Sequence, residues 1–228
     1  NNLIDGAYKT VIEKFIFLGS SCIYPKFAEQ PLKEEYLLTD SLEPTNEWYA
    51  IAKITGVKSC QAIRKQFNKD YVSLMPTNLY GSFDNFDLQS SHVLPAMLRK
   101  FHEAKINNHS DVMLWGSGTP MREFLFVDDM AEAVVYALEN NLPEYLYNIG
   151  TGKDISIKEL ADTIQKVTGH QGNILWDASK PDGTPRKLMD VSKMKELGWQ
   201  YSTELEDGIK KTYLWFLENI DTIKVIKL

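Results

Sequence analysis

Short apolar runs of strand length alternate with longer stretches of helical period along this chain. Residues 14–20, 71–77, 111–115, 123–127, 145–149 and 173–177 concentrate aliphatic and aromatic side chains and read as strands, the first two as buried ones. Between them, residues 46–67, 92–105, 128–140, 156–168 and 203–219 space apolar side chains three and four apart. Several of these open on Asn, Asp, Ser or Thr, the residues that cap helix N-termini. Ser156-Ile157-Lys158-Glu159 has the spacing of a capping box. Strand and helix in alternation predict βαβ units and a mostly parallel sheet. Residues 79–91, rich in Gly, Ser, Asp and Asn, are expected to lead from a sheet domain into a second lobe. Residues 178–187 are expected to form a loop that carries binding groups.

Composition narrows the partners. A chain of 228 residues with 43% hydrophobic and 25% charged side chains buries a sizeable core, which excludes a disordered or low-complexity protein. Acidic residues outnumber basic ones by 31 to 25, and only Arg64, Arg99, Arg122 and Arg186 are arginines, so no basic stripe invites nucleic acid. No apolar run approaches the roughly 18 residues of a membrane span. No basic stretch followed by an apolar one opens the chain, so a cytoplasmic protein with no membrane partner is expected. Cys22 and Cys60 form neither a CxxC pair nor a zinc spacing with histidine, which fits a reducing compartment and no metal site.

Candidate chemistry starts at Tyr49 and Lys53, which share one face of a predicted helix at i and i+4. An ammonium beside a phenol favours its ionised form and makes it a usable proton donor. One Tyr-x-x-x-Lys is about what chance supplies in a chain of this composition, so the surroundings decide its weight. The strand ending at Leu18-Gly19-Ser20-Ser21 runs directly into Cys22-Ile23-Tyr24-Pro25 and puts hydroxyls and a thiol at the C-terminal end of a parallel strand, where open α/β sheets bind ligands. The helix of Tyr49 follows, so hydroxyl, phenol and ammonium are expected to converge in one crevice, with the strand end Pro76-Thr77-Asn78-Leu79 alongside. Taken alone, Cys22 also reads as a small buried hydrophobe, His92 as a helix cap or surface residue, and Trp115 as core. His102, His109 and His170 read as surface residues.

Several blocks together carry a resemblance. They are Leu18 to Pro25, Glu43-Pro44-Thr45-Asn46-Glu47 with Tyr49-Ala50-Ile51-Ala52-Lys53, Pro76 to Gly81, Asp84-Asn85-Phe86, Ser91-His92-Val93, Trp115 to Phe124 and Asp177 to Lys187. In this order they resemble the extended short-chain dehydrogenase/reductases, and among them the enzymes that epimerise and reduce GDP-4-keto-6-deoxymannose. The resemblance implies that Tyr49 is the proton donor of the reductase step, assisted by Lys53, with Ser20 holding the substrate carbonyl. Cys22 and His92 are implied as the epimerase pair, with acid and base left open between them. Leu18, Gly19, Ser20, Ser21, Lys53, Pro76, Thr77, Asn78, Leu79 and His92 are implied to line NADP(H), and Lys100, Trp115, Arg122 and Asp182 to hold the GDP-sugar. Lys100 departs from the arginine often found there but keeps its charge. These enzymes are commonly homodimers built on helices of the sheet domain, and the helix of Tyr49 would contribute a face when the enzyme is complete.

One family feature has no counterpart in the sequence. Neither Gly116-Ser117-Gly118 nor Gly150-Thr151-Gly152 completes the glycine fingerprint that cradles a dinucleotide pyrophosphate. The expectation is therefore an α/β protein with an incomplete Rossmann-type parallel sheet, its first strands absent, plus a smaller α/β substrate-binding lobe. Residues 1–82 would be the C-terminal part of the dinucleotide-binding domain and 83–228 mainly the substrate lobe, with 123–150 returning to the first. The chain would then be the C-terminal portion of the enzyme, with an N-terminal segment missing, and inactive alone. Two alternatives stand beside this: a non-catalytic remnant that binds nucleotide sugar, and a related epimerase or dehydratase using bound NAD. The latter shares Ser20, Tyr49 and Lys53 but not the Cys22 and His92 pair.

Overall fold

The structure is a computed structural model that describes residues 2–223. In chain order its elements are α1 (Asn2–Tyr8), β1 (Lys14–Leu18), α2 (Glu47–Phe67), β2 (Asp70–Pro76), β3 (Asn78–Tyr80), α3 (Val93–Ile106), β4 (Asp111–Trp115), β5 (Met121–Phe126), α4 (Val127–Glu139), β6 (Leu146–Ile149), β7 (Asp154–Ser156), α5 (Ile157–Thr168), β8 (Asn173–Asp177), β9 (Arg186–Lys187), α6 (Ser192–Glu196) and α7 (Leu205–Asn219). Helix α2 ends on Asn68 in the left-handed region, and α5 begins in the capping box at Ser156 and ends on Gly169 at φ 74°.

Strands β1, β2 and β6 form one parallel sheet in that order. A second sheet centres on β5, which pairs in parallel with β3 and β9 and antiparallel with β7, while β4 and β8 pair in parallel by themselves. Strand β2, in the middle of its sheet, is almost wholly buried, as an apolar run broken only by Ser73 requires. Strand β1 is only half-buried, contrary to its reading as a buried strand, because it is an edge with one ladder partner. The largest core joins α3, α5 and α7 through Leu98, Phe101, Ile164, Ile209 and Phe216.

The expectation of an incomplete sheet with absent first strands is corrected. Among the described residues all nine strands have ladder partners, and they build an α/β fold of Rossmann type. Helix α1 opens at Asn2 and packs Ile4 and Ala7 against Cys60 of α2 and Tyr71 of β2. The glycine fingerprint reports on one phosphate-binding turn and not on whether the strands present find partners.

The close approach of α2 to β1 positions the site described below. Gly56 faces Phe17, and a Cβ there would stand 2.2 Å from the ring. Gly56→Ala is therefore expected to push the helix off the strand and to cost about 1–3 kcal/mol in urea unfolding. An unchanged midpoint would show that the two elements have room to spare.

Candidate active site

Residues Ser20 to Tyr24 turn sharply off the end of β1. Ser20 caps the short 3₁₀ turn Ser21–Ile23, its Oγ accepting from the Cys22 N–H at 3.2 Å. The turn is tied to α2, since Asn46 Nδ2 donates to the Cys22 carbonyl at 3.1 Å and Ile23 and Tyr24 pack with Ala50, Ile54 and Val57. Further back in the turn, Tyr24 is buried and its hydroxyl donates to Asn148 Oδ1 at 2.6 Å. Burial pushes that phenol well above its ordinary range, which makes it a fixed strut.

On the exposed side of α2, Lys53 Nζ donates to the Leu18 carbonyl at 2.8 Å and lies 5.8 Å from the centre of the Tyr49 ring. The helical spacing thus sets both groups over the C-terminal end of β1. Tyr49 is 46% exposed and Leu18 41%, so this end of the strand opens outward. Pro76 and Thr77 lie buried at the end of the neighbouring strand, with Asn78 and Leu79 half-buried beyond them. Thr77 and Asn78 both donate to the Glu123 carbonyl. Ser21 and Gly19 are buried, Gly19 so tightly that a Cβ would meet Met75 Sδ at 2.4 Å.

Cys22 is half-buried and receives a hydrogen bond from Lys187 Nζ at 3.4 Å. It lines a cavity of about 110 Å³ with Asn46, Thr184, Arg186 and Lys187 among its neighbours. Arg122 is also near: burial pulls its guanidinium below the usual range, and its neighbours Cys22 and Asp182 oppose that shift. Asp182 in turn accepts from the Ser117 N–H at 2.9 Å and from the Ser117 hydroxyl at 2.6 Å, which holds its carboxyl below the usual range. Trp115, read as a core candidate, is 65% exposed instead, with Lys100 and Lys180 ammonium groups each 5.5 Å from its ring. Burial lowers the Lys100 ammonium from its ordinary range.

His92 stands at the N-terminus of α3 and is exposed. Its charge acts on Asp84, whose carboxyl burial raises. Among the described residues no hydrogen bond or ring contact joins His92 to Cys22 or Tyr49. Two other histidines are misread as surface residues: His102 and His170 are 7% and 5% exposed, bonded to the Tyr213 hydroxyl and the His109 carbonyl. His102 lies within α3 against Tyr213 and Phe216 of α7, and His170 follows α5 and packs on Phe101 of α3, contacts between distant segments that no local pattern announces. Lys187 and Asn46 fall within the blocks that carry the resemblance but are given no role there, and their approach to Cys22 depends on pairings between distant segments.

Among the described residues no group of three His, Cys, Asp or Glu side chains is arranged to hold a metal ion. None of the described helices is long and apolar enough to cross a membrane.

The arrangement combines an exposed phenol over an ammonium, a hydroxyl at a strand end and a thiol among cations. Comparison with known proteins finds matching relatives. Residues 1–150 match the NAD dependent epimerase/dehydratase family. A putative GDP-L-fucose synthase 2 of Arabidopsis thaliana is 56% identical over 219 residues, covering 96% of this chain and 67% of the relative. The GDP-L-fucose synthase of Escherichia coli (strain K12) is 54% identical, with 98% and 73% covered. Among solved structures, a GDP-L-fucose synthetase from Naegleria fowleri bound to NADP superposes with a TM-score of 0.91 at 32% identity, covering 98% of this chain and 72% of that one. The chain therefore belongs to the NAD dependent epimerase/dehydratase family, as an enzyme of the extended short-chain dehydrogenase/reductase type.

Proposed function

We propose that the protein is an NADP(H)-dependent GDP-L-fucose synthase, which inverts C3 and C5 of GDP-4-keto-6-deoxymannose and then reduces C4. The observation that carries this reading is the placement of Tyr49 and Lys53 over the end of β1, against the turn that presents Ser20 and Cys22. The donor set fits the nicotinamide end of the cofactor. Lys53 spends one N–H on Leu18 and keeps two for ribose hydroxyls. Leu18, Gly19, Ser21, the Pro76 to Leu79 strand end and His92 are the proposed walls. When bound, NADPH supplies the hydride that C4 receives.

The chain's own groups then manage protons and charge. Reduction leaves negative charge on the C4 oxygen, so Ser20 steadies that oxygen and Tyr49 protonates it, with the Lys53 cation beneath the phenol. For epimerisation, the 4-keto group acidifies the C3 and C5 protons. Cys22 and His92 act from opposite faces, one removing a proton and the other returning one. Lys100, Trp115, Arg122 and Asp182 hold the GDP-sugar, and Arg122 suits the diphosphate because its fork binds two oxygens at once. A homodimer belongs to the same reading and is supported by the exposed apolar side chains Trp48 and Ile51 on α2.

The test is substrate choice. NADPH oxidation is expected with GDP-4-keto-6-deoxymannose and not with the UDP-4-keto-6-deoxy sugar, followed by absorbance of the reduced cofactor. Turnover with the UDP compound and none with the GDP compound would sink the assignment.

A further inference from the structure

Glu123 is fully buried on β5 beside Arg122, yet among the described residues no basic side chain forms a salt bridge with it. Its Oε1 accepts from the N–H groups of Thr151 and Gly152 at 2.6 and 2.8 Å, and its Oε2 from the Met189 N–H at 2.8 Å. Gly150 lies flat against it, where a Cβ would come within 2.2 Å of Oε1. Burial pushes the carboxyl above the usual range, and these amide bonds oppose the shift. So much hydrogen bonding to one buried side chain locks together two segments that are far apart in sequence, the turn after β6 and the strap that follows β9.

Lys187 ends β9, immediately before that strap. Strand β9 pairs with β5 only at Met121–Arg186 and Arg122–Lys187, so the ladder ends just where Glu123 begins. Beyond it the strap is held by a parallel backbone bridge between Met189 and Leu32 on one side and by side chains on the other: Leu188 N–H donates to Gln30 Oε1, and Met189 N–H to Glu123. A two-residue ladder is too short to fix a long lysine by itself.

We propose that Glu123 is a positioning residue for Cys22: by clamping the 188–189 strap to the 151–152 turn, its carboxylate keeps the Lys187 ammonium at the Cys22 sulfur. The inference deepens the reading of Cys22 as a reacting thiol. Its test reads the surroundings of the sulfur and not turnover, so the two readings can fail separately.

A cation beside a thiol favours an anionic alkylating agent over a neutral one. The readout is therefore the ratio of Cys22 alkylation rates with iodoacetate and iodoacetamide, with the adduct assigned by peptide mass mapping of the 228-residue chain. Cys60 interferes little, because it is buried and its thiol is pushed up to about 11. Removing the charge by Lys187→Met is expected to lower the ratio about fivefold, the upper range for one partly exposed charge pair. Glu123→Gln presents an NH₂ to the Met189 N–H, two donors face to face, and is expected to lower the ratio equally although it touches neither Lys187 nor Cys22. Combining it with Lys187→Met should add nothing. Glu123→Asp, too short to reach both segments, gives the same fall and decides the matter if the Gln variant does not fold. A ratio unchanged in Glu123→Asp or in Lys187→Met overturns the proposal. So does an equal slowing with both reagents, which is general loosening of the fold.

Discussion

Replacing Tyr49 by Phe is expected to slow NADPH-dependent reduction of the 4-keto sugar by about 10²–10⁴-fold, the usual contribution of a positioned proton donor. The change deletes one oxygen and leaves the ring on α2, 46% exposed and free of any packing duty that the hydroxyl serves. The helix should therefore keep its place, and Lys53 should still bond the Leu18 carbonyl. The loss is expected in kcat, with KM little changed, because the phenol acts on charge that develops only as the hydride arrives. A KM effect alone would mean that Tyr49 merely binds the sugar. Full activity in the Phe variant would take the proton-donor role away from this residue.

The parts of this design that are local in sequence could be read from it. Helix α2 and strand β2 fall within a residue or two of their expected spans, because apolar period and Asn caps are properties of neighbouring residues. Tyr49 and Lys53 follow from helical spacing alone. What escaped depends on distant pairing. The short strands β3, β7 and β9 have no pattern of their own and exist through their ladders with β5. Burial of β1 was misjudged because exposure is set by how many strands flank it and not by its own apolar run. The Lys187 and Cys22 contact joins residues 165 positions apart. Glu123 did leave a mark, an acid inside the run Met121-Arg122-Glu123-Phe124-Leu125-Phe126, whose last four positions are buried. A charge buried in such a strand must find partners, and its partners turn out to be amides from two other segments. The glycine fingerprint misled in the opposite way, since a single absent motif was taken to speak for a whole sheet.

Cys22→Ser is expected to slow inversion at C3 and C5 of GDP-4-keto-6-deoxymannose by about 10²–10⁴-fold, the same range as for any positioned acid or base. Inversion and exchange into deuterium oxide are followed by NMR or mass spectrometry of the sugar, without added NADPH, so the measurement isolates epimerisation from reduction. The substitution is close to isosteric. The backbone bonds of the turn, Cys22 N–H to Ser20 Oγ and Asn46 Nδ2 to the Cys22 carbonyl, do not involve the sulfur. Stability should therefore change by no more than about 0.5 kcal/mol. What changes is acidity: a thiol gives up and accepts a proton in the neutral range, whereas an alcohol does not. His92→Gln supplies the counterpart. It stands on a different element from Cys22, so each variant removes one face of the proposed proton exchange and leaves the other group in position. If only one of the two serves as base, its loss should stop wash-in at both carbons. Loss of the acid alone should permit exchange without inversion, seen as deuterium in recovered substrate. Undiminished inversion at C3 and C5 in Cys22→Ser would remove the thiol from the mechanism and leave Lys187 guarding a structural cysteine.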